Sequence, residues 1–390
     1  MKIVQIGNYP VDTTVIAGGM EASLFGLVAA LAKQNNVKVI SVPNRVIPTD
    51  QVVSYENVCV HHLSNPYHFH SLSFLRIGTI CSIIQQFKAN IVHIHSSSFL
   101  CLLLILCLRR KKIDVVVTIH GIFHIEMWKF FKQRKTISKF LKYITYSFFE
   151  YLVIWTAPKI IVDTHYVADA LSKIKKKKYH VIPQGIDEAY FTIPDNYQPN
   201  RLISIGSISS RKGHEYLVRS LVQIIPDFPE IRLYIIGVLF SAEHRAYHAS
   251  LLKLIHDNNL ENHITILTCS PVEELRQILS ESFLFVLHSY EESQGIAICE
   301  AMAAGKPVVA TQVGGIPFVV QHEKNGFLSA FGDVNTFANN IRNLLANPDL
   351  RNQMGNESRK LAQHYSWETI ASTIIEEVYR WNISHKPSEK

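Results

Sequence analysis

The alternation of short apolar runs with helix-type patterns most constrains the fold of this chain. The first half contains the β-type runs "KIVQIG", "VKVISV", "IVHIHS", "VVVTIH" and "KIIVDT". A second series follows residue 200, with "RLISIGSI", "IRLYIIG", "HITILT", "SFLFVLHS" and "PVVAT". Because parallel strands need long crossover connections, which are usually helical, this alternation predicts an α/β protein with two doubly wound, Rossmann-like domains.

A segment without clear periodicity separates the two series. It reads "IPQGIDEAYFTIPDNYQPN" and predicts an interdomain linker at 186–200. The expected domains are therefore 1–185 and 201–369, with a C-terminal helix near 370–385 that packs back on the first. Ligands of doubly wound sheets bind beyond the carboxyl ends of the strands, so we expect both domains to face a central cleft.

Charge is distributed unevenly between the two halves. Residues 1–195 contain 22 Lys and Arg against 12 Asp and Glu, whereas residues 196–390 contain 17 against 20. A basic first half predicts a polyanionic partner, such as a membrane surface, a nucleic acid or a phosphorylated substrate. The six cysteines form no CxxC pair, and the first residues lack the pattern of a signal peptide. These features favour reduced thiols in a cytosolic protein.

The segment "EESQGIAICEAMAAGKPVVATQVGG", residues 291–315, is the strongest candidate for a chemical site. Glu292 follows an apolar strand, and Glu300 lies about one turn into the helix that begins after Gly295. The start of that helix offers the amides of Ile296 and Ala297 to an anion. Two carboxylates beside an anion site suit a sugar joined to a phosphate. The alternative is that both glutamates only cap and solvate a helix start.

This segment resembles the Glu-seven-residues-Glu signature of retaining family 4 glycosyltransferases, which have the GT-B fold. Other segments are similar to family motifs and occur in the family's order. They are "AGGMEASLFGLVAALAKQ", "IVHIHS", "VVVTIHG", "VIPQGIDEAYF", "SIGSISSRKGHEYLVRSL" and "HEKNGFLSA". The resemblance spans residues 1–380 and implies two Rossmann-like domains facing a cleft.

The resemblance also implies roles for individual residues. Glu292 would hold hydroxyls of the donor sugar, and Glu300 would hydrogen-bond the ribose. Lys212 would neutralise the diphosphate and so stabilise the leaving group. Gly18 and Gly19 would let the donor phosphate or the acceptor approach the backbone.

Histidines of the first half form a further candidate group. By the resemblance, His120 in "TIHG" would lie near the reacting carbon, and the alternative is a core histidine satisfied by its neighbours. For His93 and His95, the alternating pattern of "IVHIHS" favours a half-buried strand over a functional role.

Two departures from the family pattern concern the donor site. Ser207 stands where the family usually has arginine, and Arg211 beside Lys212 is a candidate to compensate. Gln184 and Gln294 replace the asparagine and the aromatic residue that family members commonly carry. We expect these replacements to affect the choice of donor.

The sequence contains no Asp-x-Asp pair, which argues against a metal-bridged diphosphate. Lys212, Arg211 and a helix N-terminus can supply positive charge instead. We therefore expect transfer from a UDP-sugar or GDP-sugar without a metal ion or another cofactor.

Residues 121–152 combine aromatic and basic character. Apolar residues recur at helical spacing (Ile137, Phe140, Leu141, Ile144, Phe148 and Leu152), and Lys135, Lys139 and Lys142 cluster on another face. This pattern predicts a basic amphipathic helix that binds an anionic membrane surface through 109–152. The alternative is a core helix with a solvated lysine face. A nucleic-acid partner is disfavoured because no nucleic-acid-binding motif accompanies the charge.

Together these features predict a retaining glycosyltransferase that transfers a sugar to a hydroxyl of a lipid-linked or cell-surface glycan, as in polysaccharide or lipopolysaccharide biosynthesis. The expected location is cytoplasmic, peripheral on the inner face of the plasma membrane. Two alternatives remain: a sugar-nucleotide epimerase or phosphorylase of the same fold, and a non-catalytic partner subunit that binds a nucleotide-sugar. A nicotinamide-dependent oxidoreductase is disfavoured because no G-x-G-x-x-G opens the first helix.

Overall fold

A computed structural model describes residues 1–11, 19–42, 47–55, 57–64, 74–122, 124–125, 137–239, 241–268 and 271–380. The chain divides into two compact units. Met1–Gly185 and Trp367–Lys390 form the first unit, and Ile186–Ser366 forms the second. Within the described ranges, the structure contains no helix with the length and apolar character needed to cross a bilayer.

The first unit is built on an eight-stranded sheet with the order β3-β4-β2-β1-β5-β6-β7-β8. All neighbouring strands are parallel except β3 and β4, which form an antiparallel pair at one edge. The strands are β1 (Lys2–Gly7), β2 (Asn36–Ser41), β3 (Gln51–Tyr55), β4 (Val58–His62), β5 (Ile91–Ile94), β6 (Asp114–Ile119), β7 (Lys159–Val162) and β8 (His180–Val181). The helices that follow in this unit are α1 (Gly19–Ala32), α2 (Ile77–Phe87), α3 (Phe99–Arg110), α4 (Ile137–Thr156) and α5 (His165–Ser172).

The second unit is a six-stranded parallel sheet with the order β11-β10-β9-β12-β13-β14. Its strands are β9 (Arg201–Ile205), β10 (Arg232–Gly237), β11 (Ile264–Thr268), β12 (Leu284–Leu287), β13 (Val308–Thr311) and β14 (Gly326–Ser329). Its helices are α6 (His214–Ile224), α7 (Ala242–Asp257), α8 (Val272–Glu281), α9 (Ile296–Ala303), α10 (Val334–Ala346) and α11 (Pro348–Ala362). The two doubly wound sheets confirm the predicted α/β fold.

Burial explains why the strands are nearly continuous apolar runs. Every residue of β12 and of β13 is buried, because helices cover both faces of the parallel sheet. The order of the second sheet reverses between β9 and β12, which are neighbours in space. The loops that follow these two strands must therefore meet at the switch point, where doubly wound sheets bind ligands.

The segment 186–200 connects the first unit to the second and packs on the second. Ile186, Tyr190 and Ile193 are buried in the same hydrophobic cluster as the central strands of that unit. Its lack of periodicity predicted a linker, but three spaced apolar side chains anchor it to the core.

The C-terminal segment belongs to the first unit. Helix α12 (Trp367–Ile374) continues into a π-helical turn at Ile375–Tyr379, so the helix begins three residues before the expected start at 370. Trp367 accounts for this start because it packs where Gly26 and Gly185 leave room. A Cβ atom at Gly26 would lie 2.0 Å from the indole, and one at Gly185 would lie 2.5 Å from it.

Candidate functional site

Two side chains form an ion pair at the switch point of the second unit. Lys212 ends the short 3-10 turn Ser210–Lys212 after β9, and Glu292 lies in the loop after β12. The Lys212 Nζ atom is 2.5 Å from Glu292 Oε1, and the two side chains are only 11% and 7% exposed. Ser289 Oγ donates a second hydrogen bond of 2.7 Å to the same carboxylate oxygen. The strand order thus joins two residues that are 80 positions apart.

Opposing effects set the ionisation of Glu292. Burial alone would raise the pKa of this carboxyl. The positive charges of Lys212 and Arg211, together with hydrogen bonds from Lys212 and Ser289, outweigh burial and hold its pKa below the ordinary value. The site therefore presents an ionised carboxylate and a lysine ammonium side by side.

The double glycine that ends the 291–315 segment supports the Glu292 loop. Gly314 has a positive φ of +53°, and a Cβ atom there would lie 2.1 Å from the Glu292 carbonyl oxygen. The Gly315 amide donates a 2.8 Å hydrogen bond to the same oxygen. Glycine is required here because the two backbones approach more closely than a side chain permits.

Helix α9 begins next to this loop, and its first amides precede the intrahelical hydrogen bonds. Gly295, with a φ of +89°, is the N-cap residue, and its carbonyl accepts from the amides of Ile298 and Cys299. The amides of Ile296 and Ala297 precede these first intrahelical bonds. As the sequence predicted, the helix start follows directly after the Glu292 loop, and anion binding by its first amides stays a prediction.

Glu300 lies in the second turn of α9 and is half-buried. Burial raises its pKa to about 7, although a hydrogen bond with the Tyr190 hydroxyl opposes the shift. Tyr190 comes from the turn Glu188–Tyr190 in the predicted linker, and sequence reasoning did not identify it as part of the site. The only available signal was its position in the motif-like "VIPQGIDEAYF".

The diphosphate-loop residues have different environments. Arg211 is exposed, its Nη1 atom donates to the Glu291 carbonyl oxygen at 3.4 Å, and its charge acts on Glu292. Ser207 Oγ lies 3.3 Å from Ser209 Oγ on the same loop. The structure therefore places Arg211 beside the carboxylate that Lys212 binds.

The remaining predicted residues belong to the first unit. His120 follows β6; its ring is 11% exposed, with Nε2 3.2 Å from His95 Nδ1 and Nδ1 3.8 Å from Asp163 Oδ1. Burial lowers the pKa of His120 to about 4. Gly19 is exposed at the start of α1, and Gly18 lies outside the described residues. Asp163, at the end of "KIIVDT", was not predicted.

Comparison with known proteins assigns both units to glycosyltransferases. The family model "Glycosyltransferase Family 4" matches residues 17–190, and "Glycosyl transferases group 1" matches residues 187–361. An uncharacterized glycosyltransferase of Methanocaldococcus jannaschii is 26% identical over 318 residues, which are 80% of this chain and 82% of that protein. The chain also matches D-inositol 3-phosphate glycosyltransferases, but over only 38% to 53% of their length.

Two solved structures show the same fold over nearly the whole chain. Sucrose-phosphate synthase from Thermosynechococcus elongatus has a TM-score of 0.79 at 21% identity and covers 99% of this chain and 100% of its own. Anabaena HepE in complex with UDP-glucose has a TM-score of 0.72 at 19% identity and covers 97% of this chain and 99% of its own. With two family models that together match residues 17–361, the chain belongs to the family 4 glycosyltransferases of the GT-B fold.

Proposed function

We propose that this glycosyltransferase transfers a sugar, with retention of configuration, from a nucleotide-diphosphate-sugar to a hydroxyl of a lipid-linked or cell-surface glycan. The observation that carries the proposal is the buried pair of Lys212 and Glu292 at the switch point, directly before the start of α9. The Anabaena protein solved with UDP-glucose supports a UDP-sugar as donor. Retention of configuration follows from the family resemblance.

The chemistry of the site fits a charged leaving group. Lys212 is an ammonium with three donor hydrogens that contacts Glu292, and a positive charge of this kind suits diphosphate oxygens. Glu292 can only accept hydrogen bonds while ionised, which suits sugar hydroxyls. Glu300 has its partner in Tyr190 and would exchange that contact for ribose hydroxyls. These groups stabilise the charge that develops on the diphosphate as the glycosidic bond breaks.

The same groups support transfer without a metal ion. Lys212, Arg211 and the amides of Ile296 and Ala297 would supply the positive potential that a divalent cation provides elsewhere. We expect activity to survive EDTA. Loss of activity in EDTA with recovery on adding manganese would contradict this part of the proposal.

A donor panel tests the proposed reaction. UDP- and GDP-linked hexoses and N-acetylhexosamines would be scored for thermal stabilisation and slow hydrolysis with the wild type, Lys212→Ala and Glu300→Ala. Lys253→Ala is the matched control, because Lys253 pairs with Asp257 on the surface of the same unit. We expect one donor to stabilise the wild type and the control but neither site variant.

The remaining outcomes separate the alternatives. Conversion of the donor sugar without an acceptor would indicate an epimerase, and phosphate-dependent cleavage would indicate a phosphorylase. If a donor binds but is never consumed, the chain is a nucleotide-sugar-binding partner subunit. If a folded protein binds no donor in the panel, the proposed donor site is wrong.

Helix α4 supports the proposed contact with a membrane. Phe140, Ile144, Phe148, Tyr151 and Trp155 recur every three or four residues, and their exposed fractions range from 39% to 56%. They form one exposed apolar stripe along the helix.

The core contact of α4 lies on another face. Among the side chains of α4 that the structure describes, the buried ones are Ser147, Glu150, Val153 and Ile154. The described part of the apolar stripe therefore lies outside the core. This favours the membrane proposal over the alternative in which the stripe of a core helix is buried.

Basic side chains surround the C-terminal end of this stripe. Lys175 Nζ lies 4.5 Å from the centre of the Trp155 ring and donates to the Trp155 carbonyl oxygen at 3.0 Å. Lys177 donates to the carbonyl oxygens of Ile154 and Ala157, and Arg109 donates to that of Thr156. These cations cap the helix end and add positive charge beside exposed aromatic rings.

A peripheral site on an anionic membrane surface is the partner that this combination fits, and we propose the inner face of the plasma membrane. Lys135 and the side chains of Lys139 and Lys142 lie outside the described residues. Vesicle flotation tests the proposal: Phe148→Ser with Trp155→Ser should lose binding to anionic vesicles, whereas Leu252→Ser, an exposed leucine of the second unit, should not. Equal binding of the wild type to neutral vesicles would contradict an electrostatic contact.

A further inference from the structure

A chain of buried polar groups crosses the core of the first unit. His93 and Tyr379 are fully buried, and His93 Nδ1 lies 2.7 Å from the Tyr379 hydroxyl. His93 Nε2 lies 2.6 Å from Thr118 Oγ1, which closes this end of the chain. The Gln5 Nε2 group donates to the Tyr379 hydroxyl at 3.0 Å. Tyr379, the last residue of the π-helical turn, is thus hydrogen-bonded to side chains in the centre of the sheet.

The same glutamine continues the chain towards His120. Gln5 Oε1 lies 2.8 Å from His95 Nε2, and His95 Nδ1 lies 3.2 Å from His120 Nε2. His120 Nδ1 is 3.8 Å from Asp163 Oδ1, while Asp163 Oδ2 accepts a 2.7 Å bond from Gln184. Gln5 is therefore the junction between the tyrosine end and His120.

The three histidines are neutral at physiological pH. Burial lowers the pKa of His93 to about 3 and that of His120 to about 4, and it holds the pKa of His95 well below its usual value. Repulsion from His120 further lowers the pKa of His93, and repulsion from His93 and His120 further lowers that of His95. A neutral imidazole carries one proton, so each ring must donate through one nitrogen and accept through the other.

The orientation of the Gln5 amide then determines the proton positions on His95 and His120. Its carbonyl oxygen cannot donate, so His95 must carry its proton on Nε2. His95 Nδ1 is left to accept, and His120 must therefore donate through Nε2. His120 Nδ1 carries a lone pair directed towards Asp163, whose pKa burial raises to about 7, so that its protonated form can face that lone pair.

At the Thr118 end of the chain, the direction of the hydrogen bond from Gln5 likewise determines the proton positions. Tyr379 accepts from the Gln5 amide, so its own proton is free for His93 Nδ1. His93 then carries its proton on Nε2 and donates to Thr118 Oγ1. Every hydrogen bond from Thr118 to His120 is satisfied with a single set of proton positions, as a buried polar network requires.

We propose that Gln5 and Tyr379 are positioning residues that hold His120 in one neutral tautomer, with the proton on Nε2. Tyr379 anchors the nitrogen end of the amide, the amide oxygen orients His95, and His95 orients His120. The C-terminal turn thus orients His120 through two intermediate side chains. The inference rests on the proposed function only for the role of His120 beside the reacting sugar.

Histidine tautomers in the donor-free protein provide the direct test. Long-range ¹H–¹⁵N correlation spectra of protein labelled with ¹⁵N-histidine distinguish the two neutral tautomers, with His95 and His120 assigned by single substitutions. The wild type should show both rings protonated on Nε2. Tyr379→Phe keeps the aromatic ring of residue 379 but removes the hydroxyl that distinguishes the two ends of the Gln5 amide. The imidazole rings of His95 and His120 should then each become a mixture of the two tautomers.

Two further variants make the test specific. Gln5→Met removes the junction with little change in side-chain shape and should give the same mixture. Tyr179→Phe is the control, because the Tyr179 hydroxyl donates to the backbone carbonyls of Leu171 and Lys175 and lies outside this polar chain. The inference would be overturned if either ring were protonated on Nδ1 in the wild type, so that His95 and His120 did not share the Nε2 tautomer. It would also be overturned if Tyr379→Phe and Gln5→Met left the spectra unchanged.

Kinetics connect the tautomer to the reaction. In Tyr379→Phe we expect kcat to fall about tenfold with the donor KM unchanged, because misoriented site residues slow chemistry more than binding. An inactive wild type with the expected tautomers would refute the proposed function and leave this inference standing. An active enzyme in which Tyr379→Phe alters the tautomers but not kcat would refute the positioning role.

Discussion

Two glutamates of one segment have opposite electrostatic states. The charges of Lys212 and Arg211 override the effect of burial on the pKa of Glu292. At Glu300, burial outweighs both the Tyr190 hydrogen bond and the positive charge of Arg276, so the pKa is raised. The direction of a pKa shift thus depends on what the fold places beside each carboxyl. The ionised carboxylate of Glu292 can accept hydrogen bonds, and the pKa of Glu300 lies close to neutral pH.

The raised pKa of Glu300 predicts a pH-dependent stability. The folded carboxyl titrates near pH 7 and the unfolded one near 4.5, so between these values the folded state binds more protons. This contribution is fully present below pH 4.5 and is lost as the pH rises through 7. At pH 8, the unfolding free energy of Glu300→Gln should therefore exceed that of the wild type by about 3 kcal/mol. Urea titrations at pH 5 and 8 measure this, and a constant difference would contradict it.

The buried ion pair predicts strong coupling between its partners. Lys212→Met leaves the Glu292 carboxylate buried with an incomplete set of partners, which should cost about 3 kcal/mol of unfolding free energy. Adding Glu292→Gln removes the stranded charge and should recover most of that loss without restoring the donor response. A double-mutant cycle by chemical denaturation gives the coupling energy, and additive effects of the two substitutions would contradict the pairing.

At the scale of elements, the site depends on loops that are held by close backbone contacts. The turn at Gly314 lies against the Glu292 carbonyl. Gly213 has a φ of +61°, and a Cβ atom there would lie 2.1 Å from the His288 carbonyl oxygen. Each glycine connects a turn to the loop after β12. The geometry of the Glu292 loop is therefore set from both sides by residues that have no side chain.

Gly314→Ala tests this support against a matched control. Gly332 also has a positive φ, +85°, but a Cβ atom there meets nothing within 4 Å. Both alanine variants carry the backbone cost of about 1–2 kcal/mol, and only Gly314→Ala adds a clash with the Glu292 carbonyl. We expect Gly314→Ala to lose donor-induced thermal stabilisation while Gly332→Ala retains it. Equal responses of the two variants would show that the contact is not needed.

At the scale of the whole molecule, the chain leaves the first unit at Gly185 and returns to it at Trp367. The returning segment completes a core: Trp367, Ile370, Ile374 and Tyr379 belong to the same buried cluster as residues of β1, α1 and β2. The stability of the first unit therefore depends on residues that are synthesised after the second unit.

Trp367→Ala should destabilise the first unit selectively. Removing a buried indole costs about 3–5 kcal/mol, and the cavity opens against α1, where Gly26 contacts the ring. Hydrogen exchange should accelerate in β1 and α1 but not in β9 to β14. Trp155→Ala is the control, since that side chain is 56% exposed and its removal leaves no core cavity. Uniform acceleration across both units in Trp367→Ala would contradict the assignment of this segment.

The sequence by itself determined the elements whose pattern is local. Alternating apolar runs predicted the two parallel sheets, and the segment 291–315 predicted a helix start between Glu292 and Glu300, because periodicity and turn residues are encoded over a few positions. The edge strands β3 and β4 escaped prediction because short strands depend on their pairing partner more than on their own pattern. Only the tertiary structure decided that Lys212 pairs with Glu292, that Tyr190 binds Glu300 and that Tyr379 reaches His93. These contacts join residues far apart in the chain, and strand order and the returning C-terminal helix, not local pattern, bring them together.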